Sequence, residues 1–569
     1  MADCANNSSR LSRKDYVQSN DTVEADVLIV GGGMSGMYAM WKFRKLRLSV
    51  KLFEAGSYFG GAWYWNQYPG ARVDSETPYY GLSIPEVYQT WSYTERFPDH
   101  VELKKYFAHV DKTLDLAKDA RFNTIVTGAK FDTVDATWSV QTNAGGVARC
   151  KYLIMAVGST YKMHVPDFKN MGRKKVACIG SGATGVQVVQ ALARKNCEVH
   201  AYIRTPSIGL PMKQRRMTKD EQDRDRCSYR SLYDHAKRTK SGFPYDPAQH
   251  SFWDVPPKDR ESLWEALWER GGIHLLVSNF PEILTDKGAN QSMYEFWAKK
   301  VRPRINDPVK RDILVPSKQM YYFGTKRPSL EDNYYECVDQ DNVTIVDLNA
   351  TSIEEFTETG ITLSDQHEAY DVIILATGYD SVTGSLTEID LIDIDGKHLR
   401  DKWTKGTYTY LGLTINGFPN MFMIYGPQSP ISFSNAPPVV ETQVDWVAAA
   451  VKKMRDEGIA YIDALQDAAE AWREHIQDLS NKTLYPETNS WYMGANVPGK
   501  PREQLSYLGG LNTYAATTKS ALDEWTGFNV IKDTSDGSSS NRQRQESAQG
   551  VVDPSSVCGR DLDQRSDVF

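Results

Sequence analysis

Twice in this chain a short, uninterrupted apolar run is closed by a glycine-rich turn and followed by a helical pattern and a second apolar run. Val27-Leu-Ile-Val30 leads into Gly31-Gly-Gly33-Met-Ser-Gly36, a helix is expected over Met37 to Leu46, and Lys51-Leu-Phe53 then reaches Glu54. Val176-Ala-Cys-Ile179 leads into Gly180-Ser-Gly182-Ala-Thr-Gly185, a helix is expected over Val186 to Ala193, and Val199-His-Ala-Tyr-Ile203 then ends in Arg204-Thr205. An apolar run without alternation reads as a strand buried on both faces, and strand, turn, helix, strand reads as a βαβ unit of a parallel sheet.

A later run, Asp371-Val-Ile-Ile-Leu-Ala-Thr-Gly378, resembles Lys151-Tyr-Leu-Ile-Met-Ala-Val-Gly158, and each ends in a turn of small residues. The pairing predicts that the chain leaves the first unit at one such strand and returns at the other. The fold class expected is α/β: two Rossmann-like dinucleotide-binding domains, one over 23–158 and 371–531, the other over 159–370 and inserted in the first. Residues 213–310 are charged and tryptophan-rich, and the spacing of Leu263, Trp264, Leu267 and Trp268 predicts a helical subdomain that packs these side chains as core. Residues 1–22 and 532–569 are polar and poor in aliphatics, and are expected to be flexible tails.

Composition narrows the function. A chain of 569 residues exceeds one hydrophobic core, and a net charge of −7 gives no general attraction to nucleic acid or anionic membranes. Seven cysteines without a C-x-x-C pair argue against a disulfide framework, a metal site and a redox dithiol, which removes the disulfide reductases that share the two-dinucleotide layout. No stretch reaches the roughly 20 apolar residues that span a bilayer. A soluble, cytoplasmic protein is expected.

The two units differ where charge matters. An acid roughly 20 residues past the first glycine accepts hydrogen bonds from an unphosphorylated ribose, and repels a 2′-phosphate. A guanidinium at the matching place forks onto that phosphate. Glu54 therefore predicts FAD in the first unit, and Arg204 with Thr205 predicts NADPH in the second. Between them lies Gly60-Gly-Ala-Trp63-Tyr-Trp-Asn-Gln-Tyr68-Pro-Gly-Ala-Arg72-Val-Asp74-Ser-Glu76, with Tyr79 and Tyr80 close behind. A loop so rich in aromatics, with Arg72 and Asp74 as polar handles, is expected to cover a ligand.

In combination these segments are specific. The runs GGAWYWNQYPGARVDSE, GSGATGVQ, RTPSIGLPM, GTKRPSLEDNYYE, ATGYDS, GFPNMFMIYGP and SWYMGANVPGKPR resemble the single-chain, FAD- and NADPH-dependent Baeyer–Villiger monooxygenases, over roughly residues 24 to 530. The resemblance implies that Gly31, Gly33, Gly36 and Glu54 hold FAD, with Gly61, Ala62, Trp63, Asp74 and Tyr80 at its isoalloxazine end. It implies that NADPH is held by Arg72, Val73, Asp74, Gly180, Ser181, Gly182, Ala183, Thr184, Gly185, Val186, Arg204, Thr205, Lys326 and Trp491. Arg327 matches the family's catalytic arginine, placed against the cofactors and held by Asp74. A permanent cation there would keep a flavin peroxide anionic as it attacks a carbonyl.

The implied reaction inserts one oxygen atom from O2 next to a ketone, through a peroxyflavin, to give an ester or lactone. The substrate would be a secondary metabolite, with pocket walls near Met423 to Ser434 and in the 488–512 loop. Two other readings stay open here: hydroxylation, epoxidation or another oxidative rearrangement by the same cofactor, and a flavin-binding protein without turnover. One family feature is missing. The fingerprint F-x-G-x-x-x-H-x-x-x-W-P/D has no counterpart between Ser159 and Lys175, where His164 is the lone histidine and no tryptophan occurs. That departure bears on how reduction is coupled to domain movement.

Overall fold

The computed structural model describes residues 22–160, 171–364 and 366–533. The expected tails therefore lie outside the described residues, apart from Thr22, Lys532 and Asp533, and so does His164. Lys532 is no tail residue: it ends the strand Phe528–Lys532, which pairs antiparallel with Ile459–Ala464.

The first sheet has eight strands, with Val23–Val30 near its middle. Its parallel neighbours are Val50–Phe53 on one side and Val147–Met155 on the other, so that Val30 lies opposite both Phe53 and Met155. Val27, Leu28 and Ile29 are fully buried, as an unalternating run requires, because helix packs on one face and further chain on the other. The following helix spans Met34–Lys45, three residues earlier than the pattern suggested, because it starts within the glycine turn.

The second sheet is four parallel strands in the order Val343–Asp347, Glu198–Ile203, Lys175–Ile179, Val372–Leu375. This corrects one expectation. The segment beginning at Asp371 does not rejoin the first sheet; Val372–Leu375 pairs with Lys175–Ile179, and the chain reaches the first sheet again only at Asp390–Ile392 and Met421–Met423. The likeness of the two small-residue strands has a steric cause. Each lies beside the first strand of a glycine unit, and its carbonyl, Ala156 O in one sheet and Ala376 O in the other, comes so near Gly31 or Gly180 that a Cβ would collide with it.

Helices Pro257–Arg270, Lys287–Val301 and Pro308–Leu314 form much of the expected insert, which runs slightly beyond residue 310. Trp264, Leu267 and Trp268 are buried and Leu263 is partly so, and they share one apolar cluster with Val176, Cys178 and Val199 of the second sheet. The insert thus has no core of its own; it extends the core of the second unit.

Candidate functional site

Both glycine turns are tight for the same reason. A Cβ at Gly36 would overlap the Gly31 carbonyl, and one at Gly185 would overlap the Gly180 carbonyl, so only glycine lets helix and strand approach this closely. Gly31 and Gly180 also have positive φ, +108° and +112°, where side chains are disfavoured. In the first turn Gly33 lies against Gly61 of the aromatic loop, with a Cβ there only 3.3 Å from the Gly61 Cα. Gly182 has open space instead.

At the end of the next strand, Glu54 is buried, and its carboxylate accepts from Gly32 N at 2.5 Å and Gly56 N at 2.6 Å. The acid is aimed into the glycine turn by the backbone. In the second unit the Ser181 hydroxyl donates to the Thr205 carbonyl, which draws the turn and the strand end together. Arg204 is exposed, and among the described residues its guanidinium meets no carboxylate. Lys326 stands nearby, its ammonium 4.9 Å from the Tyr321 ring centroid and likewise without an acidic partner among the described residues. Burial, and after it the charge of Arg204, hold the Lys326 ammonium below the ordinary lysine pKa. Two neighbouring cations with no acid between them among the described residues could hold an anion.

The loop 60–76 bridges the two units. Tyr68 donates to Gln187 Oε1 at 2.9 Å, and Gln187 Nε2 donates to the Arg72 carbonyl at 3.2 Å, fastening the loop to helix Ala183–Ala193. The Arg72 guanidinium points elsewhere, to Glu95 Oε2 and the Phe97 carbonyl, both at 3.0 Å. In this conformation the contact from Arg72 to the second unit is therefore through its backbone; Val73 beside it is buried. Trp63 Nε1 donates to the Tyr80 hydroxyl at 2.8 Å, which sets the two rings edge to face.

Asp74 projects from this loop to Arg327, 253 positions away in the chain. Arg327 Nε donates to Asp74 Oδ2 at 2.5 Å, and Nη1 donates to the Ser432 carbonyl at 2.6 Å. Burial pulls the Arg327 pKa down, but the Asp74 carboxylate outweighs it and holds the group above the ordinary arginine range, so its charge is permanent. Two residues further on, Glu76 accepts from Arg96 Nε at 2.6 Å and from His274 Nε2 at 3.1 Å. His274 is fully buried, and its Nδ1 has no hydrogen-bond partner among the described residues. Protonating that nitrogen would bury an unpaired donor, so burial holds its pKa low and the ring stays a neutral donor to Glu76. Trp491, on the turn Trp491–Met493, packs against Val382, Ile431 and Leu505.

Comparison with known proteins places this arrangement. The family of NAD(P)-binding Rossmann-like domains matches residues 29–94. The chain is 39% identical over 534 residues to "FAD-binding monooxygenase acrE" of Aspergillus aculeatus, covering 90% of each. It is 38% identical to cyclopentanone 1,2-monooxygenase of Comamonas, covering 89% of this chain and 96% of that one. Among solved structures, cyclohexanone monooxygenase from Rhodococcus bound to NADP+ matches at a TM-score of 0.85 and 32% identity, over 90% of this chain and 100% of that one. The OTEMO complex with FAD and NADP matches at 0.84 and 32%, over 89% and 99%.

The chain belongs to the flavin-dependent Baeyer–Villiger monooxygenases. As a member of that family it is an FAD- and NADPH-dependent enzyme, and the steric cradle at Gly31 and Gly36 and the unpaired cations at Arg204 and Lys326 fit those two cofactors. No group of three or more potential ligands that could hold a metal ion occurs among the described residues.

This monooxygenase also has a cavity of about 230 Å³ with Arg327 in its wall. Ser432, Phe433 and Ser434, and Tyr492, Tyr507 and Gly510, come from the two stretches expected to line it. Another part of the wall comes from the insert, whose aromatics were expected chiefly as core, with Phe243, Tyr245, Ile273, Leu276 and Phe280. Periodicity identifies these residues as apolar and buried, but core and cavity wall share that signature.

Proposed function

We propose that this enzyme inserts one oxygen atom of O2 beside the carbonyl of an organic ketone of secondary metabolism, giving an ester or lactone. The observation that carries the reading is Arg327: a permanently charged guanidinium, fixed by Asp74 and the Ser432 carbonyl, in the wall of a mostly apolar cavity. FAD and NADPH, when bound, supply reducing electrons and activate the oxygen. FAD would be held by Gly31, Gly33, Gly36 and Glu54, with Gly61, Ala62, Trp63 and Tyr80 at its reactive end. NADPH would be held by Gly180 to Val186, Arg204, Thr205, Lys326 and Trp491, with the backbone at Arg72 and Val73 completing its seat. On this reading, residues 23–158 with the chain beyond residue 375 form the FAD domain, and the segment between them forms the NADP domain.

What the chain's own groups do follows from their charge. Arg327 stabilises negative charge developing beside the ketone carbonyl and keeps its own protons, as a buried ammonium would not. Asp74 holds the guanidinium through Nε and the Ser432 carbonyl holds it through Nη1, and the residue lines the cavity. The apolar wall keeps water from competing for that charge. No helix among the described residues is long and apolar enough to cross a membrane. The five described cysteines are all free, which supports a reducing, cytoplasmic setting.

The test is direct. Under anaerobic conditions NADPH should bleach the flavin absorbance of the purified protein, and with air and a panel of ketones a product heavier by one oxygen atom should appear. Bleaching followed by no oxygenated product from any ketone, with NADPH consumed, would reduce the protein to an NADPH oxidase.

A further inference from the structure

The cavity's charge is one-sided. Of the side chains that line it, Lys240 and Arg327 are charged and none is acidic. Arg327 is ion-paired with Asp74, whereas the Lys240 ammonium is exposed and meets no acid and no hydrogen-bond acceptor among the described residues. An unpaired lysine on an ordinary surface signifies little, because its stem is free to move. This one is seated. The Lys240 carbonyl accepts from Leu511 N at 2.9 Å and from Ser434 Oγ at 3.3 Å, tying its backbone to two loops that also line the cavity. Its stem lies over Gly510, where a Cβ would come within 2.5 Å of Lys240 Cγ. Gly510 also has a φ of +95°, so glycine suits both the turn and the lysine that crosses it.

Building on the oxygenation reading above, we propose that the substrate is a ketone bearing a carboxylate, with its carbon skeleton among the cavity's aromatic and aliphatic walls and its carboxylate on Lys240 at the mouth. Arg327 and Lys240 then address opposite ends of one molecule: the first faces the carbonyl where the oxygen is inserted, the second anchors the acid. A single ammonium suits a singly charged group; a phosphate, with more charge and more oxygens, would find one donor cation where it needs several. An anchor at one end and Arg327 at the other would favour one carbonyl of a polyketone over the rest.

The experiment compares a cyclic ketone carrying a carboxylate side chain with its methyl ester, in the FAD-loaded enzyme with NADPH. The acid should have a kcat/KM about fivefold above the ester, mainly through KM, since a partly exposed charge pair contributes on this scale. In Lys240→Met the acid-to-ester ratio should fall to about one, in Lys240→Arg it should persist, and in Lys240→Glu it should invert. Raising the salt concentration should shrink the ratio in the unaltered enzyme, which gives a readout independent of any variant's folding. An ester that matches or exceeds the acid, or a ratio indifferent to both salt and Lys240, would overturn the proposal. If neither ketone is oxygenated, the proposed function fails separately, and dissociation constants of acid and ester read from the flavin spectrum still decide the anchor by the same ratios.

Discussion

At Gly31 and at Gly180 the chain meets the same obstacle, a neighbouring strand's carbonyl where a Cβ would have to go. The strand ends that follow meet opposite demands. Glu54 is buried and held by two backbone N–H groups, whereas Arg204 is exposed and shares its neighbourhood with a second cation, Lys326, neither with an acidic partner among the described residues. One unit is preorganised around a buried acceptor, as suits a cofactor that stays. The other keeps uncompensated positive charge open to solvent, as suits a phosphorylated carrier that comes and goes. Shape is common to both sites, and charge and burial separate them.

The strongest way to probe the comparison is at the seam, where Asp74 of the first unit's loop holds Arg327 of the second. Arg327→Ala should still allow NADPH to bleach the flavin, yet lower the rate of oxygenated product about 10²–10³-fold, the usual loss when one stabilising donor is removed. Undiminished product would take Arg327 out of the reaction. Next in size, Gly31→Ala should lose flavin, read as yellow colour per polypeptide, by about tenfold or more, because both the carbonyl and the positive φ oppose a side chain. Gly180→Ala should keep the colour and raise the KM for NADPH instead. If both variants lose flavin equally, the two sites are not separable as described.

A smaller effect tests the charge alone. Arg204→Ala should raise the KM for NADPH about tenfold and leave that for NADH nearly unchanged, since only the former carries the extra phosphate. The smallest is a pH effect. The Lys326 pKa is lowered in the folded protein from 10.5, so as pH rises through that lowered value the ammonium is lost and NADPH affinity falls. Folding stability moves the other way over the window from the lowered value up to 10.5, because there the unfolded chain binds the proton that the folded chain has released. Lys326→Arg should flatten the KM profile; a profile that keeps its alkaline limb in that variant would assign it elsewhere.

Much of this site is legible in the residues themselves. The two turns, the opposite signs of Glu54 and Arg204 and the burial of Trp264 and Trp268 all rest on local rules of sterics, charge and periodicity. The link from Asp74 to Arg327 is of another kind; it came from family resemblance, since nothing local joins residues 253 positions apart. Some features left no signal in the sequence. The strand Val372–Leu375 carries the same small-residue ending as its counterpart before Gly158, so composition could not say which sheet it joins. The Arg72 guanidinium has its carboxylate partner at Glu95, and a nearby acid cannot be told from a cofactor phosphate by sequence alone.

The sequence by itself determined the two glycine turns, their order and the charge at the strand end after each, because a Cβ clash and the sign of a side chain act within a few residues. Tertiary structure alone decided which strand borders which glycine turn, which wall the insert gives the cavity, and that Lys240 meets no acid among the described residues. Those outcomes depend on distances between segments hundreds of residues apart, and such distances exist only once the chain has packed.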